Sequence, residues 1–282
     1  MKIEYSLAAS YIFLGLAIGM VIWLAGVKII SKEKADAPVA ASYRKITAIS
    51  VVLAVLGIVF AVGHLGRIDR FMNMVSNYSS WLSWEGIFSG GFMGLILVYF
   101  LLNKAAERSK YIDLFLYLAA LAGIGALVSR NMLYAVVKAI PAWNTPLVIF
   151  ADSFAALLLG GLLFLVLTRK NTSQSLMHSL TKAIFIVAIV SVVSVVVYEI
   201  YVGLTLSALA SQGVAVPVAW PGSVLRVLVG LLVPVYLLAK SLKDTSQHQT
   251  AIYLTVSLVC VVVGEVTAKI MHYIVAVKGP LF

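Results

Sequence analysis

Between two very apolar runs of the chain, the stretch from Gly63 to Gly94 carries His64, Arg67, Asp69, Arg70, Asn73, Asn77, a run of hydroxyls and Glu85, with Trp81 and Trp84 interleaved. A histidine, arginines and a carboxylate at the ends of apolar segments stand where charge is costly and tends to be functional. Together they suit proton transfer at the edge of an amphipathic slot. A quinol head group needs such a slot: apolar walls, polar partners for two oxygens, a base near neutral pH such as His64, and a carboxylate such as Glu85 to pass the proton to water. An interfacial, hydrogen-bonded residue is the equally weighted reading of His64. Arg67 and Arg70 read first as contacts to lipid phosphate or a partner subunit, and Trp81 and Trp84 as interface anchors.

Other chemistries find less support. Of the four histidines, only His64 and His272 fall on the same side, so a bis-His haem on that pair is a minor alternative, and no second pair exists for a transmembrane haem wire. HExxH, CxxC and GxSxG motifs are all missing. The single cysteine, Cys260, lies in an apolar run and reads as a small core residue. It supplies neither a disulfide nor the ligands of an iron–sulfur cluster.

The elements that must position these residues are membrane helices. The 282 residues are 62% hydrophobic and only 11% charged, with a mean hydropathy of +1.04, whereas soluble domains carry about 25% charged residues. Apolar runs long enough to span a bilayer occur at about 5–30, 45–65, 85–103, 111–135, 146–168, 180–206, 223–240 and 250–276. The expectation is an all-α, polytopic membrane protein with about eight transmembrane helices and a single membrane-embedded domain over 1–282. No cleavable signal peptide is expected, because the first run is too long and has no small-residue cleavage motif. The net charge of +10 does not point to nucleic acid, since the basic residues sit in short gaps between apolar runs.

Those gaps set an expected orientation. Lys28, Lys32, Lys34, Arg44 and Lys45 follow the first run; Lys104, Arg108 and Lys110 follow the third. Arg169, Lys170 and Lys182 follow the fifth, and Lys240 and Lys243 the seventh. By the positive-inside rule these gaps are cytoplasmic and both termini lie on the outer, periplasmic side. Threading the helices accordingly puts the loops at 66–84, 136–145 and 207–222 outside. Arg130, Asp152, Glu199, Arg226, Glu265, Lys269 and His272 fall in the outer parts of their helices, beside His64 and Glu85. A carrier usually needs polar groups near the midplane and a path to both faces, so one-sided polarity argues for a site open to the outside. Asp152 and Glu265 could form a proton pair, and a transporter using Asp152, Glu199 and Glu265 as a proton path is the rival from another class. Gly15 with Gly19, and Gly86, Gly90 and Gly94, recur every four residues as candidate points of close helix approach. Pro146 suits the first turn of the fifth helix, and Pro234 predicts a kink in the seventh.

At these residues the sequence resembles the dimethyl sulfoxide reductase anchor-subunit family. The resemblance rests on His64-Leu65-Gly66 through Arg70 and Asn73, on Ser83-x-Glu85, and on Tyr134 followed by Pro141-x-Trp143. It continues through Gly160–Gly161 and through Gly264–Glu265 with Tyr273. The chain departs from the family pattern at Ile68–Asp69, where proline is frequent, and at Trp84, Lys269 and His272. The resemblance implies a haem-free subunit of the bacterial inner membrane that binds menaquinol, with His64 and Glu85 in quinol binding and oxidation. It places Gly66, Arg70 and Asn73 around that site; Trp143 is a further candidate quinol-binding residue, although whether Arg130, Trp143 and Arg226 line the site or face a partner stays open. It further implies a heterotrimer in which electrons pass to a four-cluster iron–sulfur subunit and on to a molybdopterin catalytic subunit, the metal cofactors residing in those partners. An anchor of a polysulfide or other oxyanion reductase shares the same plan.

Overall fold

A computed structural model describes residues 5–30, 37–64, 77–103, 111–244 and 246–276. Eight helices are long and apolar enough to cross a membrane, and the described residues contain no strand. They are α1 (Tyr5–Ile30), α2 (Ala37–His64), α3 (Trp81–Leu102), α4 (Ile112–Ala135), α5 (Leu147–Thr168), α6 (Gln174–Ser211), α7 (Trp220–Lys243) and α8 (Gln247–Ile274). The apolar runs read from sequence thus become helices, several of them longer than the runs. Hydroxyl caps explain three of the extensions: Ser80, Ser173 and Ser246 accept from the backbone N–H of Leu82, Leu176 and Gln249, satisfying donors that the first turns of α3, α6 and α8 would leave orphaned. Pro146 directly precedes α5, where its missing N–H does no harm.

The helices form two groups of four. In the first, α1 packs on α2, α2 on α3, α3 on α4, and α4 back on α1; in the second, α5, α6, α7 and α8 close in the same order. The join is the contact of α1 with α5, flanked by α4 on α5 and α8 on α1. These two central helices are the most buried of the eight, while the outer ones turn aliphatic residues such as Val59, Leu121, Val193 and Leu204 outward. In a bilayer such exposure is expected, because lipid is as apolar as the side chains that face it.

Close approach at the join is a matter of missing side chains. A Cβ added to Gly160 of α5 would lie 2.3 Å from the Gly19 backbone of α1, and one added to Gly19 would lie 2.3 Å from the Ala156 carbonyl oxygen. A second such crossing joins α7 and α8, where a Cβ on Gly230 would lie 2.7 Å from the Gly264 Cα. The expected role of Gly19 is met, but that of Gly90 and Gly94 is not: a Cβ at either would meet open space, because their face of α3 points away from α4 and α2. Spacing alone does not say which face of a helix is packed.

Where Pro234 predicts a kink, the structure has a π-helical turn over Leu228–Leu232 just before it. A proline cannot donate to the carbonyl four residues back and its ring crowds that carbonyl, so the turn before it widens. The widened turn contains Gly230, which lets α8 close in there. Replacing Gly160 with Leu is expected to cost on the order of 1–3 kcal/mol through overpacking, read as a lower melting temperature of the detergent-solubilised protein. Gly94→Leu should leave that temperature within error of wild type.

A buried ionic layer as the candidate functional site

The sequence-predicted residues divide into those the structure describes and those it does not. Gly66, Arg70 and Asn73 lie outside the described residues, and of His64 only the backbone is described, as the last residue of α2. It ends α2 at the end of the bundle where α3, packed on α2, begins. One turn into α3, the carboxylate of Glu85 accepts from Arg130 Nε of α4 at 3.0 Å. Arg130 is only 1% exposed, while the Glu85 side chain keeps 20% of its surface open. Beside it, the Trp84 indole donates to the Tyr78 carbonyl at 3.0 Å, fixing the entry to α3.

From Arg130 the contacts continue into the bundle. Its guanidinium lies 4.4 Å from the ring centroid of Tyr11 on α1, and the Lys269 ammonium of α8 lies 4.2 Å from the same ring. Cations over an aromatic face gain most where water is excluded. Lys269 also pairs with Asp152 of α5. Asp152 in turn accepts from Arg226 Nη2 of α7 at 3.5 Å. Arg226 is the hub: Nε and Nη2 donate to the two oxygens of Glu265 on α8, each at 3.2 Å, and Nη1 donates to Glu199 of α6 at 3.1 Å. Ser223 adds a 2.6 Å bond to the second oxygen of Glu199. A planar, forked guanidinium is the group best able to serve carboxylates from three helices at once.

Aromatics pack around the ionic groups. Trp143, in the connection between α4 and α5, stacks on His272 with centroids 4.8 Å apart and planes 3° from parallel, and its indole donates to the His272 carbonyl at 2.8 Å. Tyr134 meets both rings edge-on, and its hydroxyl lies 3.3 Å from that of Tyr273. The connection is itself held in place, since Tyr201 of α6 donates to the Pro141 and Asn144 carbonyls at 3.0 and 3.2 Å. Arg130, Trp143 and Arg226 therefore all turn inward and make contacts within the chain.

Two small cavities flank the layer, each of about 20 Å³, and Asp152 and Lys269 line both. One is bounded by Tyr11, Arg130, Asn131 and Glu265; the other by Glu199, Ser223, Arg226 and His272. Each has room for about one water molecule. Around them stand buried polar atoms without a partner among the described residues: Tyr11 Oη, both terminal nitrogens of Arg130, Asn131 Oδ1 and His272 Nε2. No group of three His, Cys, Asp or Glu residues suited to a metal ion occurs among the described residues.

Every ionisable member of this layer was visible in the sequence as a charge in the same half of a helix. Which partner each one takes was not. Tyr11 and Ser223 carry no charge to mark them in the sequence; the signal for Tyr11 is its depth, since it stands about as far into α1 as Asp152 does into α5. The other end of the bundle is not bare of charge pairing, since Lys28 of α1 pairs there with Asp113 of α4.

Eight apolar helices with an ion-paired layer gathered in one half of the bundle define a multi-pass membrane protein. The sequence profile of the DMSO reductase anchor subunit (DmsC) matches residues 1–275, nearly the whole chain, and the protein belongs to that family. It is accordingly a membrane anchor of a DMSO reductase-type complex. A search among curated proteins finds no match.

Arg226 makes the layer sensitive to single changes. Arg226→Met strips three carboxylates of their shared partner, and breaking a buried pair from one side costs about 3–5 kcal/mol. The expected result is loss of monodisperse protein in size-exclusion chromatography. Arg226→Lys, which keeps the charge without the fork, should give an intermediate yield.

Proposed function

We propose that the chain is the quinol-oxidising anchor of its complex. It takes two electrons from menaquinol at the α2–α3 end and hands them to a four-cluster iron–sulfur subunit, which serves a molybdopterin reductase in a heterotrimer in the bacterial inner membrane. The observation that carries this reading is Glu85: a half-open carboxylate at the start of α3, oriented by a buried arginine, at the end of the bundle where α2 finishes on His64. In this reading His64 accepts or hydrogen-bonds the quinol proton and Glu85 relays it outward. Arg70 and Asn73 hold the pocket or the docked partner, with Gly66 leaving room beside the head group. Trp143 acts at one remove, since its N–H is committed to the His272 carbonyl.

Two features weigh against the rivals. His272 has one face stacked on Trp143 and an edge contact from Tyr134, which leaves little room for a macrocycle on that ring. The carboxylates a transporter would use are gathered at one end of the helices and tied to Arg226 and Lys269, not spread along a path through the bundle.

The test uses the assembled complex in membranes and a fluorescent quinol analogue. His64→Ala should abolish saturable quenching and quinol oxidation together. Glu85→Gln should keep most of the binding while oxidation falls by about 10²-fold or more, as expected for loss of a proton-transfer group. Unchanged binding and turnover in both variants would sink the reading. If electrons and protons leave on the same outer side, turnover moves no net charge across the membrane. A potential-sensitive dye in sealed vesicles should stay silent during quinol oxidation, and a sustained signal would refute that topology.

A further inference from the structure

Beyond the Glu85–Arg130 pair lies a group with a charge imbalance. Arg226 and Lys269 face three carboxylates, Asp152, Glu199 and Glu265, in one connected set of ion pairs. If all five are ionised, the set carries one net negative charge. Arg226, Asp152, Glu265 and Lys269 are each at least 92% buried. In such a medium an unbalanced charge is costly, and crowded carboxylates share a proton rather than all ionise. The other groups facing the set do not cancel the charge: Tyr11 from α1, Tyr198 from α6 and His272 from α8 are neutral in their ordinary forms at neutral pH. Among the described residues the one further cation in contact with the layer, Arg130 of α4, is already paired with Glu85.

The surroundings fit a proton that moves. The two water-sized cavities meet at Asp152 and Lys269. At one end, the unpartnered nitrogens of Arg130 reach toward the first cavity while its Nε holds Glu85. At the other, Glu199 keeps 17% of its side chain exposed and Ser223 donates to it between α6 and α7. Buried polar atoms without protein partners beside a polar, water-sized space are where ordered water is found.

We propose that Asp152, Glu199 and Glu265 form a proton store with its own outlet at Glu199, separate from the His64–Glu85 end. For the source of the proton this rests on the quinol-oxidising reading. Of the two protons released as quinol becomes quinone, one leaves through His64 and Glu85; the other enters through the cavity beside Arg130, occupies the carboxylate set, and leaves from Glu199 to water between α6 and α7. Only O–H bonds form and break in this transfer, the two electrons going to the iron–sulfur partner, and Arg226 and Lys269 keep their charges throughout. The carboxylates that a transporter would need thus serve an anchor.

The first readout does not depend on quinol. Infrared difference spectra of the purified complex between acidic and alkaline buffer should show a carboxylic-acid C=O band that shifts in heavy water and is lost in Glu199→Gln. Gln can keep its carbonyl oxygen toward Arg226 and donate its amide N–H to the Ser223 hydroxyl while removing the excess charge, so this variant should melt no lower than wild type at neutral pH; a purely structural ion pair would melt lower. Quinol oxidation should fall about tenfold in Glu199→Gln with quinol-analogue affinity unchanged, and Glu199→Asp should recover most of the rate. No carboxylic band in wild type, a band unaltered by Glu199→Gln, or wild-type turnover in that variant would each overturn the proposal. If the wild-type complex oxidises no quinol, the quinol reading fails, and the infrared and melting measurements still decide whether the set holds a proton.

Discussion

The arrangement of this bundle depends on the cost of charge away from water. Glu85, Arg130, Asp152, Glu199, Arg226, Glu265 and Lys269 sit on six different helices, and none can be left alone in a hydrocarbon setting. Each must find its opposite on a neighbour, and the pairings then dictate which helices stand together. Arg226 joins α7 to α5, α6 and α8; Lys269 joins α8 to α5; Arg130 joins α4 to α3. Tyr11 brings α1 into the same layer by offering its ring to two cations. Apolar packing alone would not choose among helix orders, because one aliphatic surface is much like another to lipid. Unpaired charge penalises wrong orders, so the layer supplies specificity whatever its net contribution to stability.

The same residues link fold to chemistry. A site that oxidises a quinol needs groups that change protonation without rearranging, and a carboxylate clamped by an arginine from a second helix is held in one place. Glu85 has this arrangement with an open side. Asp152 and Glu265 have it with almost none, and Glu199 is about as open as Glu85. The exposure falls from Glu85 to Asp152 and Glu265 and rises again at Glu199, as the proposed relay requires.

Much of this was legible in the sequence because membrane helices announce themselves by length and by the scarcity of charge. The eight spans, the one-sided polarity and the identity of every ionisable member of the layer could be read from the chain. Partner choice could not: Asp152 and Glu265 were a plausible proton pair, and the structure places Arg226 between them. Helix-face assignments were equally hidden, as Gly90 and Gly94 show. They have the spacing of a packing stripe and face open space, whereas Gly160, noted only as half of a glycine pair, forms the tightest crossing. Pro234 predicts a kink, and the structure shows a widened turn before it, at which Gly230 meets Gly264 of α8.

The neighbour pattern of α1 to α4 is repeated by α5 to α8, and the two sets meet where Gly19 and Gly160, each near the middle of its helix, lie face to face. A contact in which like positions of like units meet is the form that a two-fold dimer makes with itself. Within one chain the two units thus meet in the manner of like halves, along α1 and α5. The ionic partners obey the same relation with their signs exchanged: the first unit sets a carboxylate on its third helix against an arginine on its fourth, and the second sets an arginine on its third against a carboxylate on its fourth. Two units with one neighbour order can therefore differ in how they hold charge: the first keeps its carboxylate partly open, and the second closes over its own.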